Sequence, residues 1–278
     1  MPSSLHTSQS FHNRNNYSTM SQSQNETAKA FKALHKPGEP LILTNVWDAI
    51  TATAVAQSTS TKALATASAA MAAAVGLDDD QLTLPINLSA TRAIGMVAKK
   101  HNLPLTIDFQ DGYGDQLEEG VREVIRAGAV GINLEDYGRE LNDLYPIDVA
   151  VQRIERVMNV AKDEGVPEFV VNARTDALLY GRSLSEAIVR GKKYLEAGAS
   201  NVFVWGGKKR GGITRDEVVE LTKAFDGKLN VSLRVIAEGL GVSELKKIGV
   251  ARLSIGPQLS TKVVSFLQGE TDRILADY

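Results

Sequence analysis

The chain has 278 residues, 43% of them hydrophobic and 23% charged, with a formal net charge of −2. That length can bury a large core and suits one α/β domain, and the near-neutral charge gives no field that draws the protein to nucleic acid or to an anionic membrane. No apolar run reaches the roughly 18–20 residues of a membrane helix, and the absence of cysteine excludes disulfides, thiolate metal sites and a cysteine catalyst.

Residues 1–25 are rich in Ser, Asn and Gln and contain no acid. Such a segment buries too little to offset its chain entropy, so residues 1–25 are expected as a disordered tail and residues 26–278 as a single barrel domain. A transit peptide is also acid-poor, but only Arg14 carries a firm positive charge here, and Met20 offers an alternative start. The expected location is the cytoplasm, with import into an organelle left open by the tail.

From Leu41 onward a rhythm sets in. Arg126-Ala-Gly-Ala-Val-Gly-Ile-Asn-Leu-Glu135, Glu196-Ala-Gly-Ala-Ser-Asn-Val-Phe-Val-Trp205 and Lys247-Ile-Gly-Val-Ala-Arg-Leu-Ser-Ile-Gly256 share one grammar. In each, a helical pattern ends near a glycine able to take the left-handed cap conformation, and a short apolar strand follows. Eight strands are expected, at 41–45, 63–66, 105–108, 131–135, 169–174, 201–205, 230–234 and 252–255. Helical patterns lie between them, for example at 147–164, 183–197 and 215–225. Eight alternating units in about 230 residues predict a closed (β/α)8 barrel of the TIM type. An open doubly wound sheet would want a Gly-x-Gly-x-x-Gly turn after its first strand, where this chain has Val46-Trp-Asp-Ala-Ile50.

Barrel enzymes carry their chemistry at the C-terminal ends of the strands. The first strand ends in Asn45-Val-Trp-Asp48, where Asp48 is either a helix N-cap, a catalytic group, or both. The second ends in Ala65-Thr-Ala-Ser68, followed by small residues that let backbone amides approach an anionic ligand; Ser68 and Ala69 are the binding candidates there. The third presents Asp108, Gln110 and Asp111 before Gly112-Tyr-Gly114, and the fourth presents Glu135 and Asp136. Carboxylates Asp108 and Glu135 on adjacent strands must repel, share a proton or share a cation, and Mg²⁺ (or Mn²⁺) with waters suits such a pair. Arg174, at the end of Asn172-Ala-Arg174, forms either a fork for a substrate anion or an ion pair with Asp176 or Glu135. The sixth strand ends in Trp205-Gly-Gly207 before Lys208-Lys-Arg210, either a phosphate grip or a solvated loop. Arg234 and Glu238 follow the seventh. None of the histidines, at 6, 12, 35 and 101, falls on a strand end, which argues against histidine acid–base catalysis and a His-rich zinc site.

Taken in order, Asn45-Val-Trp-Asp-Ala49, Ala67-Ser68, Asp108-x-Gln-x-Gly-Tyr-Gly114, Gly131-Ile-Asn-Leu-Glu-Asp136, Asn172-Ala-Arg-Thr-Asp176 and Ser254-Ile-Gly-Pro257 resemble the isocitrate lyase / phosphoenolpyruvate mutase superfamily. The likeness runs from about residue 28 to 268 and is greatest to its short, phosphonomutase-like (carboxyvinyl-carboxyphosphonate phosphorylmutase-like) branch. It implies a barrel whose eighth helix swaps onto a neighbour in a homodimer or homotetramer. It also implies Mg²⁺ and a 2-oxo acid or phosphonate substrate whose C–C or P–C bond beside the carbonyl is made or broken. By that similarity Asp108, Gln110 and Glu135 hold the metal, directly or through water; Ser68 and its neighbouring amides take the substrate carboxylate; Arg174 clamps an anionic end; and Asp48 lies near the leaving group. Asn45, Trp47, Tyr113, Asn133, Asn172 and Trp205 complete the expected substrate-binding set.

Two departures qualify the resemblance. Metal-binding members carry a second acid where this chain has Gln110, which removes a charge. Isocitrate and methylisocitrate lyases carry a Lys-Cys-Gly-His type segment after the glutamate, where this chain reads Tyr137-Gly-Arg-Glu-Leu-Asn-Asp-Leu-Tyr-Pro146. Arg139, Asn142 and Tyr145 remain as loop candidates, and Tyr145 serves as an acid only with a pKa far below its usual value of about 10. The resulting expectation is a Mg²⁺-dependent lyase cleaving a C–C bond in a small 2-oxo or 2-hydroxy dicarboxylate. The alternatives are a phosphonomutase or phosphonopyruvate hydrolase, and a barrel that binds a metabolite without turnover.

Overall fold

The computed structural model describes residues 22–234 and 240–277. The chain enters through helix α1 (residues 22–33). The first barrel strand comes in two pieces, β1 (Leu41–Leu43) and β2 (Asn45–Val46), and leads to α2 (Ala49–Ala56). Next, β3 (Leu64–Thr66) precedes α3 (Ser68–Ala73) and α4 (Leu84–Lys100), and β4 (Leu105–Asp108) precedes α5 (Leu117–Arg126). After β5 (Gly131–Glu135) comes a small hairpin, β6 (Tyr137–Gly138) and β7 (Asp143–Leu144), then α6 (Ile147–Asp163). The second half runs β8 (Val170–Thr175), α7 (Leu184–Glu196), β9 (Asn201–Val204), α8 (Gly207–Arg210) and α9 (Arg215–Ala224). It ends with β10 (Leu229–Ser232), α10 (Val242–Ile248), β11 (Arg252–Ser254) and α11 (Gln258–Ala276).

The large sheet has the order β1-β11-β10-β9-β8-β5-β4-β3-β2, with every pairing parallel. Its two edge strands are consecutive pieces of one strand joined at Thr44, so the sheet closes on itself with eight strand positions. This is the expected (β/α)8 barrel. The αβ turns take the form read from the sequence: Gly128, Gly198 and Gly249 have φ of 97°, 105° and 103°, values that a side chain would resist. Outward residues such as Leu105 and Ile107 are fully buried against apolar stripes on the helices, among them Val121 and Val124 of α5 and Val157 of α6. The inward face is different. Asn45, Thr106, Asn133, Asn172, Asn230, Arg252 and Ser254 are all buried there, where TIM barrels usually pack branched apolar side chains.

Helix α1 closes the N-terminal end of the barrel. Gln24 Nε2 donates to the carbonyls of Ile125 (2.7 Å) and Ala129 (2.8 Å), and the Asn25 side chain accepts from the Glu168 amide. Residues 22–25, expected in the tail, are thus the first turn of this helix; the rest of that expected tail, residues 1–21, lies outside the described residues, as does Glu238. Just after α1, burial and then the Arg252 charge push the His35 imidazole down to about 3. The fold therefore favours neutral His35, and the unfolded chain binds the proton more tightly. Stability is full above the unfolded value of about 6.5 and is lost as pH falls from there toward 3. His35→Phe is accordingly expected to flatten the fall in melting temperature between pH 7 and 5; an unchanged slope would assign that fall to other groups.

Helix α11 departs from the barrel with no buried residue. Val264, Phe266, Leu267 and Leu275 are more than half exposed, and Ile42, on the outer side of β1, is 42% exposed beneath the place an eighth helix would cover. Among the described residues no helix is long and apolar enough to cross a membrane.

Candidate active site

The C-terminal ends of the strands surround a cavity of about 610 Å³. Asp108, the last residue of β4, reaches into it and is held on both oxygens. Its Oδ2 accepts from the Ser68 amide (2.9 Å) and its Oδ1 from Asn133 Nδ2 (3.0 Å). Asn133 in turn accepts from Asn172 Nδ2 (2.7 Å), so neighbouring positions on β4, β5 and β8 form a relay that fixes the carboxylate. Asn45 accepts from the amides of Ile255 and Gly256 and donates to the Thr66 carbonyl, tying the last strand to the first two. Ser68 and Ala69, opening α3, line the same wall.

Arg174 forms the opposite wall. It grips Asp176 in a fork, Nε to Oδ1 at 2.6 Å and NH2 to Oδ2 at 2.9 Å, and its NH1 reaches Glu135 Oε1 at 2.7 Å. The guanidinium lies 4.2 Å from the Trp205 ring centroid, a cation–π arrangement that also fixes its plane. Three of the five guanidinium N–H groups are thereby used, which leaves two for a ligand. Burial opposes the Arg174 charge, but Asp176 and Glu135 outweigh it and hold the group firmly protonated. Glu135 and Asp176 are pushed above the usual carboxylate range, because burial costs them more than a shared cation returns.

A further acid arrives from outside the strands. Asp79, in a one-turn helix at Asp79–Gln81, lines the cavity, and burial and then Asp108 push its pKa up. Gln110 Nε2 donates to both the Asp79 carbonyl (2.7 Å) and its carboxylate (2.9 Å), while Gln110 Oε1 is buried with no partner. Asp79, Asp108, Glu135 and Asp176 thus gather about Arg174, which bonds to the last two. Among the described residues no three acids or histidines converge into a ready metal cage. Mg²⁺ needs no such cage: one or two carboxylates, waters and substrate oxygens suffice. Asp108 with Asp79 or Glu135, and the orphaned Gln110 oxygen behind them, fit that donor set.

The model of the family described as phosphoenolpyruvate phosphomutase matches residues 31–275. The chain belongs to that family. It is 30% identical over 229 residues to the Mycobacterium tuberculosis protein Rv1998c, covering 82% of this chain and 81% of that one. A Burkholderia cenocepacia J2315 structure provisionally assigned as a phosphonomutase superposes with a TM-score of 0.80 at 32% identity, covering 90% of this chain and 99% of that one. An oxaloacetate decarboxylase of Rhodopseudomonas palustris is 30% identical over 139 residues, 48% of each chain. Relatives also include a 2-methylisocitrate lyase of Escherichia coli and a phosphonopyruvate hydrolase of Variovorax. The superfamily is thus one of lyases, mutases and hydrolases acting on small molecules.

Within this family frame the expected site residues divide. Asn45, Ser68, Ala69, Asp108, Asn133, Arg174 and Trp205 line the cavity. Glu135 and Asn172 stand behind it, one bonded to Arg174 and the other to Asn133. Three residues turn elsewhere. Asp48 caps α2 through Thr51, as one of the two roles expected of it requires. Trp47 packs beside Met71 and Leu82. Tyr113, at φ 60°, is turned toward Asn87, with its hydroxyl accepting from Asn87 Nδ2. Gln110 meets Asp79 rather than Asp108.

The 137–146 loop is also committed. Arg139 pairs with Asp111 and donates to the carbonyls of Asp80 and Leu82, and Asn142 accepts from the Tyr137 hydroxyl. Burial raises the pKa of Tyr145, the opposite of what an acid at neutral pH requires. Tyr180, stacked on Tyr137 at 4.4 Å, and the exposed Lys208 and Lys209 stand on the cavity wall instead. Arg210, between them and α9, is paired with Glu217.

Proposed function

We propose that the protein is a divalent-metal-dependent lyase that cleaves a C–C bond at the carbon next to the carbonyl of a small 2-oxo dicarboxylate of the oxaloacetate type. The observation that carries the reading is the oriented Asp108 in an acid-rich cavity faced by the Arg174 guanidinium. Such a site offers a position for a cation on one wall and for an anionic substrate on the wall that faces it. Asp108, with Asp79, Gln110 and Glu135 around it, would hold Mg²⁺ or Mn²⁺. When bound, that ion supplies positive charge for an oxygen on which negative charge develops.

The chain's own groups do the rest. Ser68 and Ala69 border the 2-oxo acid end of the substrate, and Arg174 offers its two remaining N–H groups to the carboxylate of that same end. Trp205 and Asp176 prevent the guanidinium from turning away, which preorganises it. In the reaction the C3–C4 bond of oxaloacetate breaks, its electron pair becomes an enolate, CO₂ leaves, and a proton from water adds at C3 to give pyruvate. No dedicated protein acid is needed, which agrees with a loop whose Tyr145 is a poor acid. The preference for C–C over P–C cleavage rests on Arg139 and Asn142, which are occupied by the protein rather than left to receive a phosphoryl group.

A second reading, cleavage of a P–C bond, is favoured by Lys208 and Lys209 at the mouth. Phosphonopyruvate and oxaloacetate assayed side by side separate the two. Product formed only from phosphonopyruvate would overturn the first reading, and turnover of neither would favour a binding protein.

The exposed apolar side of α11 and the uncovered Ile42 also support a homo-oligomer, a dimer or tetramer, in which α11 packs on a neighbouring copy. Light scattering at micromolar concentration is expected to give two or four copies; a monomer would contradict this.

A further inference from the structure

The cavity reaches deeper than the acid web requires. Tyr180, Lys208 and Pro257 stand at its mouth, while Ala65, Thr106, Asn230 and Arg252 line its depth. Arg252 begins β11, in register with Asn230 of β10, two residues before Ser254. At about 3.3 Å per residue it lies roughly 6–7 Å further down the barrel than Ser254. A volume of about 610 Å³ lies within the range of pockets for drug-sized ligands and exceeds what a two- or three-carbon acid fills.

Arg252 is the anomaly of this interior. It is 3% exposed, and its Nε and NH1 are buried without a hydrogen-bond partner. No ion pair among the described residues includes it. The hydroxyl of Thr106 and Nδ2 of Asn201, on strands of the same barrel, are likewise buried and unpaired. These groups are donors. A buried cation without a hydrogen-bonded counter-charge is costly and is normally paired. The surroundings supply no hydrogen-bonded partner: His35, on the far side, is held neutral, and Asp108, whose charge favours the protonated guanidinium from a distance, gives its two oxygens to Ser68 and Asn133.

We infer that Arg252, with Asn230 and Thr106 beside it, forms a second carboxylate-binding site on the floor of the cavity. It receives the distal carboxylate of the substrate while the 2-oxo acid end lies at Asp108 and Arg174. The site selects dicarboxylates over monocarboxylates because a shorter acid leaves the guanidinium unpaired. The inference rests on the proposed function for the first end of the substrate only; the floor site stands on its own geometry.

The test is ligand-induced thermal stabilisation of the full chain in one Mg²⁺-containing buffer, with formate, pyruvate and malonate as probes. Arg252→Gln keeps the size and removes the charge, and Arg252→Lys keeps the charge without the fork. In probe-free buffer Arg252→Gln is expected to melt no lower than wild type, because it removes an unpaired buried charge. Its affinity for malonate is expected to fall tenfold or more, with pyruvate changed less than twofold and Arg252→Lys intermediate. If formate weakens equally and malonate binds wild type no more tightly than formate, the floor takes a separate small carboxylate. Malonate and formate affinities both unchanged in Arg252→Gln, or no stabilisation of wild type by any probe, would overturn the site. Failure of the lyase reading shows separately, as absent turnover of oxaloacetate while the malonate effect persists.

Discussion

Arg174→Met is expected to cost about 3–5 kcal/mol of stability at neutral pH, the usual range for removing one partner of a buried ion pair. The side chain of Asp176 is 1% exposed and that of Glu135 13%, and Arg174 bonds to both. Methionine fills much of the volume but leaves two carboxylates with no counter-charge and little solvent. The loss is expected to be smaller at pH 5 than at pH 8. Both acids already have raised pKa values through burial, and protonation relieves the unpaired charge. Urea unfolding at the two pH values reads the effect. Arg174→Lys keeps the charge, yet a single ammonium cannot reproduce a fork on Asp176 together with a bond to Glu135, so its stability should fall between the two. A loss below about 1 kcal/mol in Arg174→Met would mean that these carboxylates are neutralised without it. Such a result would remove the argument for a rigid, preorganised guanidinium.

Asp108→Asn is expected to lower kcat/KM on the order of 10³-fold, comparable to removing a principal electrostatic group from an active site. The two acceptors of Asp108 receive the Ser68 amide and the Asn133 amide group. An asparagine must place its NH₂ against one of those donors, so both the charge and the orientation of the wall suffer. The fold should survive, because Asp108 lies at the cavity rather than in the apolar layer between sheet and helices. Chelator dependence distinguishes the role: the residual rate in Asp108→Asn should no longer respond to Mg²⁺. Full metal-dependent activity in that variant would remove Asp108 from the metal site.

The barrel was legible because its signals are local. Each of the turns at Gly128, Gly198 and Gly249 joins a helical period to a short apolar run, and the strands formed within one or two residues of the expected positions. Asp108, Asn133 and Arg174 were legible for a related reason, since strand alternation points their side chains inward once the strand is known. Trp47 and Tyr113 lie one and five residues past a strand end, where alternation no longer applies, and the local backbone swings both away from the cavity. Asp79 went unread for the opposite reason. It reaches the cavity from a short helical turn between α3 and α4, and its one sequence signal was the acidic run Asp78-Asp-Asp80. The unpaired state of Arg252 depends on what its neighbours on the other strands do not offer. Spacing alone does not reveal that.

The most direct test of the account is pyruvate release from oxaloacetate above the uncatalysed background, measured with Mg²⁺, with chelator, and in Asp108→Asn. A lyase of the kind proposed gives a rate that needs the metal, disappears with chelator and returns when Mg²⁺ is restored. The same background rate in all three conditions would contradict it.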